Sequence, residues 1–416
     1  LSGGLDSSSI AVTARDLQET TNGGSLPTFS TVYDRYPSCD ERPYIEAVLD
    51  QGGFAPHYIL GDDVNARGSL EALLSVHDEP FFAPNLAMNW TNAPHVRAAG
   101  VSVLLDGHGG DEVVSQGYGR FHELAQQSAW IALARETWGA SDGLPESAFR
   151  LWGLYAWRYA GQPWMEEHPG AQRLYGWYSQ GKQWVSGEGG TSSSIDQDPL
   201  RLLGPELRGR GDVEARYQQA LQDRKAASGS ERARHHGELT APILGQSLEL
   251  LDRTARAQGV EPRFPFLDRR LLSFCLALPA EQKRKRGWGR YVLRTALRDR
   301  LPRRVRRRRD KTNFTSHFVA ALQKRETGAP LTDPRCGQKG YIENSVLRDL
   351  SAAVEDLGPK ASPQILFSLW RAIVVATWAQ ASSGEASTDP LREKPTSEPH
   401  CEKFDHIHEP QTPNVS

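Results

Sequence analysis

Two glycine-rich turns, each with an acidic residue just past its glycines, constrain the fold of this chain more than any other feature. The first reads Ser-Gly-Gly-Leu-Asp-Ser-Ser over residues 2–8, and the second reads Asp-Gly-His-Gly-Gly-Asp-Glu over residues 106–112. The second follows a short apolar, β-branched run that begins at Val101, as turns after buried parallel strands do. We expect a strand to lead into the first turn as well, in residues that precede Leu1.

Strand-like and helix-like stretches alternate over the first 120 residues. Residues 26–33 form another short apolar run, and residues 41–53 carry an apolar face that stops at glycine. This alternation predicts an α/β fold with a doubly wound parallel sheet over residues 1–120. The patterns over residues 121–380 are mainly helical, and the polar, proline-punctuated residues 381–416 predict a disordered tail.

The composition limits the classes of function. A net charge of −2 over 416 residues gives no overall attraction to nucleic acid or to a membrane surface. No run approaches the roughly 18 apolar residues that a transmembrane helix needs. Four cysteines lie far apart without the spacing of a metal site, so we expect reduced thiols in a cytoplasmic protein: Cys39, Cys275, Cys336 and Cys401.

The first turn has the residues of a phosphate site. Gly3 and Gly4 let successive backbone N–H groups point at one spot, and Ser2 and Ser7 add hydroxyl donors. The helix that starts near Asp6 directs its positive end at the same place. The turn lacks the Lys-Ser/Thr ending of a Walker loop. A carboxylate beside phosphate needs a cation between them, so Asp6 is a candidate magnesium ligand.

The second turn repeats this arrangement. Asp111 and Glu112 follow its glycines, and turns at the carboxyl ends of parallel strands face the crevice where such sheets bind ligands. We expect Asp6 and Asp111 to hold one or two magnesium ions against a polyphosphate. Glu112 is explained equally well as a residue of the first helical turn.

The two turns and several further motifs resemble those of a known family. The first turn is similar to the pyrophosphatase loop of ATP-pyrophosphatases, the adenine nucleotide α-hydrolase-like proteins that cleave ATP between its α and β phosphates. Further motifs, in the expected order, resemble the synthetase domain of the asparagine synthetase family over residues 1–380. They are Tyr-Pro-Ser-Cys-Asp-Glu-Arg-Pro-Tyr at 36–44, the second turn, Arg-Phe-Pro-Phe-Leu-Asp at 263–268, and the segment 289–314.

The resemblance implies a reaction and a set of roles. The family activates a carboxylate as its acyl-adenylate with release of pyrophosphate, and an amine nitrogen then displaces AMP. By this resemblance ATP is a substrate, Mg²⁺ accompanies it, and Lys311 stabilises adenylation at the α-phosphate. The resemblance also assigns pyrophosphate binding to the nest around Gly3, namely to Ser2, Gly4, Asp6 and Ser7. It assigns adenosine binding to Leu1, Thr31 and Gly107. Magnesium binding falls to Asp6 and Asp111.

His108 is the main departure from the family pattern. It stands where the family has a glutamate that acts as a base toward the incoming nitrogen, and imidazole also exchanges protons near neutral pH. Asp106 likewise replaces a serine. Conversion of aspartate to asparagine is the default assignment. The alternative is the macrolactam synthetase of lasso peptides, a related enzyme that uses an internal amine.

The resemblance also bears on partners. The family has an N-terminal glutaminase domain that releases ammonia, and we expect it to be separate from residues 1–416 or on another polypeptide. A peptide substrate would bring a leader-peptide-binding partner instead. A tRNA-modifying ATP pyrophosphatase is disfavoured by the motif at 263–268, and an inactive nucleotide-binding regulator is disfavoured by the retention of Asp6, Asp111 and Lys311.

A basic run extends from Lys283 to Lys311, with fifteen Lys or Arg and two acidic residues. Such a run is typical of a solvated face. Its place beside the expected phosphate site predicts a role in attracting ATP or an acidic partner. Nucleic acid is disfavoured, because few aromatic side chains interleave with the basic ones.

Lys311 provides the first prediction. Lys311→Ala should retain ATP binding but lose adenylate formation by orders of magnitude, because a transition-state contact is removed. Lys311→Arg should rescue poorly, since the two cations differ in shape and donor geometry. ATP–pyrophosphate exchange and ATP affinity measure the two effects. A fall in affinity with intact turnover at saturation would make the lysine a binding contact only.

Overall fold

The computed structural model describes residues 1–21, 23–141, 145–161, 199–209, 212–226, 230–309, 312, 314–323 and 340–381. Over these ranges the chain is a mixed α/β protein with many helices and a few short strands, which confirms the predicted class. The predicted tail lies outside the described residues, apart from Ala381 at the end of the last helix. The division at residue 120 stays a prediction.

The amino-terminal part alternates helices with parallel strands. In chain order it contains α1 (Leu5–Thr21), β1 (Leu26–Val32), α2 (Arg42–Leu49), β2 (Phe54–Leu60), α3 (Leu70–His77), α4 (Leu86–Ala98), β3 (Val103–Leu105) and α5 (Gly110–Val114). β1 and β2 are parallel, with α2 in the crossover between them.

Helices predominate among the described residues after α5. They are α6 (Gly119–Gln126), α7 (Trp130–Ala140), α8 (Pro145–Ala156), α9 (Pro205–Gly209), α10 (Val213–Ala226), α11 (Glu231–Leu239), α12 (Pro242–Ala257), α13 (Arg269–Ala277), α14 (Ala280–Lys283), α15 (Tyr291–Ala296), α16 (Arg303–Arg306), α17 (Thr315–Gln323), α18 (Asn344–Leu357) and α19 (Pro363–Ala381). The strands are β4 (Glu261–Arg263), β5 (Arg284–Lys285) and β6 (Trp288–Gly289). Among the helices described, none is long and apolar enough to cross a bilayer.

The strand at Val103 differs from the sequence expectation. The apolar run that begins at Val101 predicts a buried strand, but β3 has three residues, and its Val103 and Leu105 are 47% and 45% exposed. The reason is that β3 pairs with β4 on one side and, among the described strands, has no neighbour on the other. The described strands thus form two separate parallel pairs and one antiparallel pair, β5 with β6, and a single doubly wound sheet is not confirmed.

Two small apolar clusters place the turns. Leu5 and Val12 of α1 pack with Val48, Leu301 and Val305, so the first turn lies beside the basic run. A separate cluster packs Val113 and Val114 of α5 against Phe266 and Cys275. The largest core lies elsewhere and joins α3, α12, α18 and α19.

A buried polar network fixes the chain after α5. The Glu231 carboxylate accepts hydrogen bonds from Ser115 Oγ and from Gly119 N, both at 2.7 Å. Lys283 Nζ lies 3.9 Å from that carboxylate and donates to His235 Nδ1 at 2.8 Å. His235 and Lys283 are fully buried. Burial, together with the ammonium of Lys283, lowers the pKa of His235 from 6.5 to about 4.

This network predicts acid sensitivity. The unfolded chain takes up a proton on His235 near pH 6.5, whereas the folded protein does so only near pH 4. The stability contributed by neutral His235 is therefore present above pH 6.5 and falls by about 3 kcal/mol as the pH drops to 4. His235→Gln should flatten this part of the stability curve, measured by urea unfolding at a series of pH values.

The exposed His95 of α4 supplies the matched control. His95→Gln should keep the wild-type slope, and Glu231, whose pKa burial raises, is unchanged in both variants. Equal slopes in wild type and His235→Gln would contradict the assignment.

Candidate active site

The first turn is built by one close approach and a cluster of hydroxyls. Gly3 has φ +65°, and a methyl group there would lie 2.5 Å from Tyr44 Cβ, so only glycine fits. Ser2 Oγ lies 2.9 Å from Ser7 Oγ and accepts from Gly4 N at 3.4 Å. These hydroxyls and N–H groups stand at the N-terminus of α1, where an anion is favoured.

The second turn packs directly on the first. A methyl group at Gly107 would lie 2.9 Å from Ser7 N, and one at Gly110 would lie 2.6 Å from Asp6 Cγ. The structure therefore brings together the two turns that the sequence places about a hundred residues apart. Asp6 and Asp111 lie in the first turns of α1 and α5.

Arg290 bridges these two aspartates. Its Nη1 lies 2.7 and 2.6 Å from the two carboxylate oxygens of Asp6 and 3.0 Å from Asp111 Oδ1. Gln116 Nε2 also donates to Asp111 Oδ1, at 3.0 Å. Both carboxylates thus share one cationic partner, and the Arg290 side chain is only 8% exposed.

Part of the basic run is buried here, so the run differs from the solvated face that such runs typically form. Arg290, Arg294 and Arg308 are each less than a tenth exposed. Arg294 donates to the backbone carbonyls of Gly289 and Arg308 at 3.0 Å. Burial, and then the nearby Arg290, lower the pKa of Arg294 to about 10. The arginines tie the segment to the turns because buried guanidinium groups need acceptors.

Arg308 joins the segment around residue 41 to the first turn. Its guanidinium lies 2.7 Å from Glu41 Oε1, donates to Gly3 O at 3.4 Å and stacks 4.0 Å from the ring centre of Tyr44. Thr312 Oγ1 donates to the same Glu41 oxygen at 2.7 Å. The predicted catalytic Lys311 lies outside the described residues.

The remaining predicted residues lie around the turns. Thr31 Oγ1 accepts from Asn92 Nδ2 at 2.9 Å, and the Leu1 backbone nitrogen donates to Phe29 O. The ring of His108 meets that of Phe264 edge-on, with centroids 6.3 Å apart.

The two aspartates fit a magnesium ion. Carboxylate oxygens are its preferred protein ligands, and Asp6 and Asp111 already converge on a cation, the guanidinium of Arg290. Within the described ranges, no three His, Cys, Asp or Glu side chains group closely enough to hold a metal. Phosphate oxygens and water would complete the coordination, as is usual for Mg²⁺ at nucleotide sites.

Sequence reasoning missed Arg290 and Arg308 as parts of the site. Both lie in a run where nearly every second residue is basic, so the pattern does not distinguish buried from solvated arginines. A usable signal was their position after Gly289 and before Lys311, inside the segment that resembles the family.

Comparisons with known proteins show to which family the chain is similar. The sequence profile of the family described as asparagine synthase matches residues 1–380. A stretch of 76 residues is 40% identical to the glutamine-hydrolyzing asparagine synthetase of Gallus gallus, covering 18% of this chain and 14% of that protein. The chain therefore matches only a small part of the length of this curated relative.

Proposed function

The chain belongs to the asparagine synthase family, and we propose that it forms amide bonds at the expense of ATP, through an acyl-adenylate, with release of pyrophosphate and AMP. One observation carries the proposal. Two glycine-rich turns pack against each other and bring Asp6 and Asp111 to one shared cation beside a cluster of hydroxyl and N–H donors. This is a site for a polyphosphate with its metal.

We assign roles on this basis. Ser2, Gly4 and Ser7 donate hydrogen bonds to pyrophosphate, and Asp6 and Asp111 hold Mg²⁺, which neutralises phosphate charge when bound. Leu1, Thr31 and Gly107 border the adenosine, and Lys311 stabilises the adenylation transition state. Because charge develops on phosphate oxygens in both steps, fixed donors and cations provide most of the catalysis.

The proposal extends to the fold and to the partners. The two parallel strand pairs would belong to one doubly wound sheet of ATP-pyrophosphatase type, within a synthetase domain over residues 1–380. The enzyme would act in the cytoplasm on a small-molecule or peptide carboxylate. Its nitrogen would come from an amine or from ammonia, the latter supplied by a separate glutaminase.

Asparagine formation from aspartate is the default substrate assignment. His108 favours the alternative, macrolactam formation in a lasso peptide. Its imidazole replaces a carboxylate of the family pattern and lies against the ring of Phe264. Unlike a carboxylate, an imidazole carries no negative charge in either protonation state, so it does not favour the cationic form of an incoming amine.

ATP–pyrophosphate exchange in the presence of candidate carboxylates tests the proposed function. Wild type should exchange label with its own substrate. Asp6→Asn and Asp111→Asn should each abolish exchange, because either loss leaves phosphate charge uncompensated. Asp16→Asn is the matched control on α1, since its carboxylate pairs with Arg15 and Arg300 away from the turns. Exchange at wild-type level in both site variants would overturn the assignment.

His108 is predicted to act after adenylation. His108→Ala should leave exchange nearly intact yet stop amide formation, because the amine must lose a proton during attack. Raising the pH should restore part of the rate, since more of the amine is then already neutral. His108→Glu should shift preference toward ammonia. Equal loss of both half-reactions without pH rescue would instead assign His108 to the shape of the turn.

A further inference from the structure

We propose that Arg290 is a built-in counter-ion for Asp6 and Asp111 in the metal-free protein, and that its guanidinium and Mg²⁺ compete for these two carboxylates. The inference rests on the proposed function, because it takes both aspartates as magnesium ligands. It concerns the state of the site before nucleotide binds.

The geometry places one cation where two carboxylates meet. Nη1 of Arg290 lies within 3.0 Å of oxygens of both aspartates. The three side chains come from α1, from α5 and from the residue before α15, and they are 20%, 30% and 8% exposed. Dissolved salt screens such partly buried charges much less than exposed ones. Without a cation, the carboxylates would repel each other and separate the turns.

The backbone holds Arg290 in this position. Its φ of 51° and ψ of 40° are left-handed, a conformation that costs free energy for a residue with a Cβ. Such conformations persist where the surroundings enforce them, and they cluster at functional sites. Here Arg294 Nε donates to the carbonyl of the preceding residue, Gly289, at 3.0 Å.

The pairing with the two aspartates leaves one hydrogen-bond donor of the Arg290 guanidinium unused. Nε of Arg290 is buried and has no hydrogen-bond partner among the described residues. A buried donor without an acceptor is unfavourable. The guanidinium is therefore held against the two carboxylates with part of its hydrogen-bonding capacity unused, which makes it replaceable by a divalent ion.

This competition has a consequence for binding order. In wild type, Mg²⁺ without nucleotide must displace Arg290 and should bind weakly. A nucleotide adds phosphate oxygens as further ligands and gives the displaced guanidinium an anion to face. Arg290 would thus keep the turns together and make tight metal binding depend on the nucleotide.

The test is Mg²⁺ binding to the nucleotide-free protein at constant ionic strength, by calorimetry and by the change in Tm. Arg290→Met should lower Tm by several degrees in the absence of metal, and Mg²⁺ should restore it. Its affinity for Mg²⁺ should exceed that of wild type by roughly 5–150-fold, the usual range for coupling between two ligands. Arg290→Lys, which keeps the charge, should bind Mg²⁺ as weakly as wild type.

Arg120 supplies the matched control, because it also bridges two carboxylates, Glu136 and Glu281, each at 3.3 Å. Arg120→Met should lower Tm without rescue by Mg²⁺. Adding Asp6→Asn to Arg290→Met should abolish the gain in Mg²⁺ affinity. If Arg290→Met does not fold, Arg290→Gln gives the same comparison.

Mg²⁺ affinity in Arg290→Met or Arg290→Gln equal to that of wild type would overturn the inference. Failure of the proposed function is a separate result. It would appear as absence of ATP–pyrophosphate exchange in wild type, while the metal titration still decides whether Arg290 and Mg²⁺ compete.

Discussion

The packing of one glycine-rich turn on the other is the contact on which the site depends. Gly107 and Gly110 lie so close to Ser7 and Asp6 that a Cβ at either position would clash. This approach brings two carboxylates together, which raises the free energy of the site unless a cation lies between them. Arg290 of the basic run provides this cation within the protein. The close approach of the turns therefore requires the charge of Arg290.

The two turns are supported from behind by separate parts of the molecule. α1 packs on Leu301 and Val305. α5 packs on Phe266, and the residues that follow it are held by hydrogen bonds to the Glu231 carboxylate. The relative position of Asp6 and Asp111 is thus set by the contact between the turns together with the packing behind α1 and α5, as a preorganised binding site requires.

The convergence of the turns was predictable, because two glycine-rich turns with an acidic residue just past the glycines are a local pattern with a known geometric outcome when both lie at the carboxyl ends of parallel strands. Burial within the basic run was not, since Arg290 and the exposed Arg300 look alike in sequence and differ only in their tertiary neighbours. The exposure of Val103 depends on which strands flank β3, and the burial of Lys283 depends on its contact with His235. Exposure and burial of this kind are set by residues far away in the sequence.

The structure separates the two departures of the second turn from the family pattern. The Asp106 carboxylate accepts a hydrogen bond from His108 N at 2.7 Å, and Asp106 N donates to Arg263 O at 2.8 Å, which continues the β3–β4 pairing. A short polar side chain that accepts from the backbone two residues on is a turn-forming device that serine also provides. The hydrogen bond within the turn therefore explains the aspartate at position 106, which does not by itself imply a different substrate. Among the described residues the His108 ring contacts Phe264 and forms no hydrogen bond that shapes the turn, so His108, unlike Asp106, bears on the choice of nucleophile.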